Sequence, residues 1–245
     1  MIPQSPPTCQ VHPLKICLFG ASGRMGERIL EASNHPHENA SVTLRRSHDD
    51  RSIDASDAFD VIVDFSSDEG TKSAAALAIA SKRPLLVGTT GLSEATRTIL
   101  TRASQDVAVL IAPNTSIGIV VMRSLVTDAA RLLGADFKVT ITEVHHTQKR
   151  DQPSGTALAL ADAVARGGGS VLKRDQIHSI RTGDIVGDHD VLFASESEEI
   201  TLRHHAKNRS VFACGALRLA HWIVSRPAGM YGLDDWFSDL KKEEK

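Results

Sequence analysis

Leu14-Lys15-Ile16-Cys17-Leu18-Phe19-Gly20-Ala21-Ser22-Gly23-Arg24-Met25-Gly26-Glu27-Arg28-Ile29-Leu30-Glu31-Ala32 decides the fold. A short apolar run passes into glycines spaced Gly-x-x-Gly-x-x-Gly, and a helical segment follows at once. A Gly-rich turn by itself is as often an ordinary turn as a binding loop. Directly between a strand and a helix it reads as the opening of a Rossmann unit. Gly20 suits the tight turn, while Gly23 and Gly26 let the backbone approach a pyrophosphate and the helix approach the sheet. Ser22 stands where the commoner fingerprint has its second glycine. Gly20, Ala21, Ser22, Gly23, Arg24 and Met25 are the expected cradle of a dinucleotide, with the pyrophosphate at the helix start.

Outward from this unit, Val61-Ile62-Val63-Asp64-Phe65, Pro84-Leu85-Leu86-Val87 and Val107-Ala108-Val109-Leu110-Ile111 have the near-continuous apolar character of strands buried on both faces. Helical segments at 71–81 and 94–104 alternate with them, so the expected organisation is α/β, a Rossmann-type doubly wound parallel sheet. Each strand ends in small polar residues, and ligands of such sheets bind at the carboxyl ends of strands. Gly88, Thr89 and Thr90, with Ala112, Pro113, Asn114 and Thr115, are therefore expected against a cofactor. Val42-Thr43-Leu44 reads as the second strand. Arg45 and Arg46 follow it, where NAD enzymes place an acidic residue for the adenosine ribose. Paired guanidiniums would bind a 2′-phosphate and favour NADPH over NADH. The plainer reading is an exposed basic turn partnered by Asp49 and Asp50.

The second informative stretch is Glu143-Val144-His145-His146-Thr147-Gln148-Lys149-Arg150-Asp151-Gln152-Pro153-Ser154-Gly155-Thr156-Ala157. Residues 137–144 alternate apolar and polar side chains, which predicts a strand with the histidines at its carboxyl end. Pro153 and Ser154 signal a helix start, and good helix formers follow. Two imidazoles, an ammonium and a helix N-terminus then share one small region, which suits a polyanion undergoing proton transfer. A His-His pair alone is more often structural, and a Ser-Gly-Thr start is usually only a cap; it is their joint occurrence beside Lys149 that points to a site. After 166, three consecutive glycines make a loop, and alternating strands at 177–181, 190–194 and 199–205 predict a largely antiparallel or mixed sheet. His204-His205 ends a charged strand without a ligand set and reads as structural or surface.

At 245 residues the chain can build its core without disulfides. With 28 basic against 30 acidic residues and 4% aromatics, it offers neither the field nor the stacking surface for nucleic acid, so a small-molecule partner is expected. Cys9, Cys17 and Cys214 lack metal-ligand spacing, which argues against a structural metal and fits a reducing, cytoplasmic setting. No apolar run approaches the roughly twenty residues of a membrane span. Residues 1–13, rich in proline, read as a disordered tail.

The 143–157 stretch resembles the signature of the dihydrodipicolinate reductases, Glu-x-His-His-x-x-Lys-x-Asp-x-Pro-Ser-Gly-Thr-Ala, and every fixed position is occupied. Gly-x-x-Gly-Arg-Met-Gly, Gly-Thr-Thr-Gly at 88–91, the Asn114 loop and Arg181-Thr182-Gly183-Asp184-Ile185-Val186-Gly187-Asp188-His189 also resemble that family. The resemblance implies NADPH or NADH as hydride source and a cyclic imine dicarboxylate as substrate in lysine and diaminopimelate biosynthesis. It implies His145 as general acid with Lys149 beside it, and His146, Ser154, Gly155 and Thr156 as substrate contacts. It further implies a dinucleotide-binding domain at 14–116 completed by 216–245, a substrate-binding and oligomerisation domain at 117–215, and a homotetramer. Two departures stand out. Thr115 occupies a place where several relatives carry Phe, and the segment between the site helix and the Arg181 loop is shorter than in many of them. The rival readings are another imine or amino-acid dehydrogenase on the same scaffold, and a non-catalytic redox sensor that binds the dinucleotide.

Overall fold

The computed structural model describes residues 12–46 and 59–243. Nearly all of the expected tail, and Cys9, Asp49 and Asp50, lie outside them. In chain order the elements are β1 (Leu14–Phe19), α1 (Arg24–Ser33), β2 (Ala40–Arg46), β3 (Val61–Asp64), α2 (Asp68–Ser81), β4 (Leu85–Val87), α3 (Glu94–Ala103), β5 (Ala108–Ile111) and α4 (Ile117–Leu133). There follow β6 (Lys138–His145), α5 (Gly155–Arg166), β7 (Ile177–Arg181), β8 (Asp188–Ala194), β9 (Glu199–His205), α6 (Ser210–Ile223), β10 (Gly229–Tyr231) and α7 (Leu233–Glu243). Serine starts four of the helices: Ser67, Ser93, Ser116 and Ser154 each accept a hydrogen bond from a first-turn amide of α2, α3, α4 and α5. Each such cap is worth about 1 kcal/mol.

The chain forms two compact units, one from the described residues up to Leu110 with Leu217–Met230, the other from Ile111–Ala216 with Tyr231 onward. The first holds a six-stranded sheet in the order β10-β5-β4-β3-β1-β2, with β1 parallel to β2 and β3, and β3 parallel to β4. From β1 the chain passes to β2 on one side and then to β3, β4 and β5 on the other. That reversal is the switch point at which doubly wound sheets bind their ligands. Val61, Ile62 and Val63 are all fully buried, as expected of a strand covered on both faces. Gly20 has φ +78°, and a side chain there would put its Cβ 2.4 Å from the carbonyl oxygen of Phe65. At Gly26 a Cβ would lie 2.2 Å from the oxygen of Gly20, so α1 can seat against the turn only with glycine at that place.

The second unit is a mixed sheet ordered β7-β6-β8-β9, with β7 parallel to β6 and both β8 contacts antiparallel. One face carries α4 and α5 over a core of Ile119, Met122, Val126, Ile141, Leu160, Val164, Val191 and Phe193. The chain's end divides differently from the expected 216–245. Residues 217–230 group with the first unit, but α7 lies with the second, where Asp234 accepts from Arg123 and Arg166 at 3.2 and 3.1 Å and Lys241 donates to Ser124. Among the described residues no helix is long and apolar enough to cross a membrane.

Candidate functional site

In the first unit the Gly-rich turn opens α1 without spending its amides on a side chain, because the N-cap is Gly23 and no side-chain cap is present. An unspent helix N-terminus at the end of β1 fits a pyrophosphate. Gly88, Thr89 and Thr90 follow β4 at the same edge; Thr90 is exposed, whereas the Thr89 hydroxyl is buried and donates to Asp64 at 2.8 Å. The arginine pair is not a pair in space. The strand runs through Arg46, and alternation sends consecutive side chains to opposite faces. Arg45 is exposed, while Arg46 is 8% exposed and hydrogen-bonds the Cys17 thiol. Burial pushes that thiol up to about 11, with Arg46 pulling the other way. The expectation of two guanidiniums converging on one phosphate is thus corrected to one exposed guanidinium, that of Arg45.

In the second unit, the core-facing positions of β6 run Val139, Ile141, Glu143, His145, and those of the antiparallel β8 run Phe193, Val191, His189. Val139 faces Phe193, Ile141 faces Val191, and Glu143 faces His189. Both strands therefore change from apolar to ionisable at the same end of the sheet. Glu143 is 0% exposed, His145 7% and His189 3%. His145 donates through Nδ1 to the Glu143 carboxylate, whose other oxygen accepts from Arg181 at 2.8 Å and from the backbone of Ser154 at 3.3 Å. Burial would raise the Glu143 pKa, but the hydrogen bonds of His145 and Arg181 outweigh it and hold it at about 2. With Nδ1 committed, Nε2 is the free end of the His145 ring. It faces Gly187, where a Cβ would stand 3.0 Å away.

His189 is kept neutral, its pKa lowered to about 3 chiefly by burial and further by the nearby His145. The two rings meet edge to face at 5.1 Å. Ser154 Oγ accepts from Ala157 N at 3.1 Å and shares a hydrogen bond with His189 Nε2 at 3.3 Å. The expected substrate contact Ser154 is therefore committed to holding the site together. Gly155, exposed with open space around it, and Thr156 remain at the start of α5, the Thr156 hydroxyl accepting from Asn114 at 2.7 Å. Glu143, His145 and His189 offer donor atoms within 4.8 Å of one another, a grouping that can hold a metal ion, but the Arg181 guanidinium on Glu143 disfavours a second cation there.

The adjacent histidines are not equivalent. His146, past the end of β6, is half-buried with its N–H on the Ile185 carbonyl at 2.7 Å. Lys149 pairs with Asp151 at 2.8 Å and, with the Gly155 amide and against the effect of burial, holds that carboxyl below its ordinary range. One carboxylate is thus already gripped by Lys149 at the start of α5. Thr115 is 1% exposed and donates to the Phe212 carbonyl at 2.6 Å, so this departure ties the 112–116 loop to the first turn of α6. His204 is half-buried, bonded to Ser116 Oγ at 3.2 Å, and reads as structural. The sequence reading gave no role to Glu143, Arg181 or His189. An acidic residue at a core-facing place in an alternating strand was the available signal.

A parallel sheet with an open helix start at its switch point, and a mixed-sheet unit that buries an acid–base pair beside cations, define a pyridine-nucleotide-dependent reductase. The chain belongs to the dihydrodipicolinate reductase family: the family profile described as "Dihydrodipicolinate reductase, N-terminus" matches residues 14–115, and "Dihydrodipicolinate reductase, C-terminus" matches 118–237. It is 39% identical over 245 residues to the 4-hydroxy-tetrahydrodipicolinate reductase of Zymomonas mobilis subsp. mobilis, covering 91% of this chain and 96% of that one. To the reductase of the same name from Pseudoalteromonas translucida it is 36% identical over 264 residues, covering 93% and 98%. Among solved structures, a dipicolinate-bound dihydrodipicolinate reductase from Paenisporosarcina sp. TG-14 shares the fold at TM-score 0.71 and 23% identity, covering 91% of this chain and 99% of that one. A C. glutamicum DAP dehydrogenase shares it more loosely, at TM-score 0.56 and 10% identity, covering 91% and 93%. The scaffold thus serves more than one dehydrogenase, and the family assignment rests on the sequence matches.

Proposed function

We propose that this chain reduces 4-hydroxy-tetrahydrodipicolinate, which loses its hydroxyl as water to give the cyclic imine dicarboxylate dihydrodipicolinate, to tetrahydrodipicolinate in lysine and diaminopimelate biosynthesis. A reduced nicotinamide supplies the hydride. Hydride addition to a conjugated imine leaves enamine character that must gain a proton. His145 gives that proton from Nε2, and the ionised Glu143 on Nδ1 fixes the ring and balances the imidazolium charge. Lys149 supplies positive charge, and His146, Gly155 and Thr156 hold substrate carboxylates, with Ser154 fixing the helix start. The observation that carries this reading is the continuous hydrogen-bond chain from His145 through Glu143 to the amide of Ser154, which joins a proton donor to an anion-binding helix start.

Arg45 supports NADPH over NADH, since a guanidinium, not a carboxylate, is exposed where the adenosine ribose of a Rossmann cofactor lies. An Arg45→Ala variant should lose most of the kcat/KM preference for NADPH; an unchanged ratio removes Arg45 from the cofactor site. We keep a cytoplasmic homotetramer as the assembly that the family resemblance implies, and Cys17 and Cys214, neither of them in a disulfide among the described residues, fit a reducing compartment.

Pyridine-2,6-dicarboxylate tests the substrate. It should inhibit competitively against the imine, and a pyridine monocarboxylate should bind at least about tenfold more weakly, because a missing carboxylate leaves donors unpaired at roughly 1–3 kcal/mol. Equal thermal stabilisation by the two compounds with NADPH present would mean that the start of α5 is only a cap.

A further inference from the structure

The side chain of Asp64, at the carboxyl end of β3, is fully buried and has no part in the chemistry above. One oxygen accepts from the hydroxyl of Ser66 and from its amide at 3.1 Å; the other accepts from Thr71 at 2.5 Å and Thr89 at 2.8 Å. These donors come from three pieces of chain: the loop after β3, the first turn of α2 and the loop after β4. The Ser66 amide also lies 3.0 Å from the Thr89 hydroxyl, and the Gly88 amide donates to the Asp64 carbonyl at 2.8 Å. Four residues on, Asp68 accepts from the amide and hydroxyl of Ser93 at 2.8 and 2.9 Å, and Ser93 is the cap of α3. The loop after β4 is therefore fastened at Thr89 by Asp64 and at Ser93 by Asp68, and between them Thr90 and Gly91 stand exposed at the ligand edge of the sheet.

A buried carboxylate is costly unless its hydrogen-bond capacity is used, and a fold that only needed a filled core would place an apolar residue there. The four donors use it fully, and all of them lie in the loops after β3 and β4 or in the first turn of α2, at the carboxyl edge. We infer that Asp64 is a positioning residue for the nucleotide: it sets the loops after β3 and β4, with the Thr89 hydroxyl as its link, so that Thr90 and the backbone of 88–91 meet the cofactor. Thr89 accordingly serves the cofactor through Asp64 and not by its own side chain. This rests on the reading that these loops bind the dinucleotide.

The test compares Asp64→Asn, Thr89→Val and Thr89→Ser with the wild-type protein, using NADPH as the probe. Three quantities are read: the Kd for NADPH, the amide exchange of 65–71 and 88–93, and kcat at saturating NADPH. Asp64→Asn and Thr89→Val should each raise the Kd by about tenfold, the equivalent of about 1.4 kcal/mol, and loosen both loops together while kcat is retained. Thr89→Ser, which keeps the hydroxyl, should stay within about twofold of wild type. If NADPH protects both loops in the wild-type protein but neither Asp64→Asn nor Thr89→Val shifts the Kd, the positioning role is overturned and the cofactor reading stands. Loss of stability and kcat with an unmoved Kd overturns it equally, as a structural role only. If NADPH protects neither loop in the wild-type protein, the cofactor reading fails and this inference with it. Should Asp64→Asn not fold, the contrast between Thr89→Val and Thr89→Ser decides.

Discussion

Asp64 and Glu143 are both fully buried carboxylates near the carboxyl end of a strand, one in each unit, yet they are held in opposite ways. Burial raises the pKa of Asp64, and the hydrogen bonds from Ser66, Thr71 and Thr89 only partly oppose it. Burial acts on Glu143 in the same sense, but there the partners include a guanidinium and an imidazole, and the result is a value of about 2. Both side chains are shielded from solvent; where the partners include a guanidinium the carboxyl is held ionised, and where they are hydroxyls and an amide the effect of burial prevails. Neutral hydroxyls make a fastening for loops. A guanidinium partner holds an anion that can fix the His145 ring and balance its charge before the proton is given.

The sharpest way to break this contrast is through activity. His145→Gln should lower kcat by about 10²–10³-fold with little change in NADPH affinity, the usual contribution of a general acid. Glu143→Gln should lower kcat by a comparable or smaller factor, because the carboxylate that orients the His145 ring is gone. Retention of kcat in both variants would remove the pair from the chemistry, and loss of NADPH binding instead would assign His145 to the nucleotide.

A second effect is expected on stability. Arg181→Leu leaves Glu143 with His145 and the Ser154 amide but no guanidinium, and should cost about 3–5 kcal/mol in urea unfolding, whereas Asp64→Asn, among hydroxyls that can turn to accept, should cost about 1–2 kcal/mol. Adding Glu143→Leu to Arg181→Leu should recover much of the loss, since an apolar replacement leaves no buried charge unpaired. Equal costs for Arg181→Leu and Asp64→Asn would mean that donor charge does not distinguish the two sites.

A third effect lies in acid. His189 has its folded pKa lowered from 6.5 to about 3, so as pH falls the unfolded chain takes up a proton that the folded chain refuses. The stability present above pH 6.5 should then be lost across that interval at about 1.4 kcal/mol per pH unit. Glu143, lowered from 4.5 to about 2, adds a loss of the same sign at lower pH. Melting temperatures of His189→Asn between pH 7 and 5 should fall less steeply than those of the wild-type protein; parallel curves would show that His189 can be protonated in the folded state.

The sequence by itself determined the elements and most of the site's membership. Glycine spacing between a strand and a helix, apolar runs, period-two alternation and Ser caps are local signals, and they located β1, α1, β3, β4, β5, β6 and α5 to within a few residues. They also put His145, Lys149 and the start of α5 in one short stretch, where chain connectivity alone keeps them close. What the sequence left open depended on partners distant along the chain. That Arg46 turns inward to Cys17, leaving Arg45 exposed, follows from how far β2 extends. That Thr115 ties to Phe212 and α7 lies with the second unit follows from contacts across about a hundred residues. The roles of Glu143, Arg181 and His189 required the register of β6 with β7 and β8, which sets an acid, a guanidinium and an imidazole at one end of a sheet face. Hydrogen bonds and charge act over a few ångströms, so only the tertiary structure could decide which of the buried carboxylates became an anion among cations and which a clasp among hydroxyls.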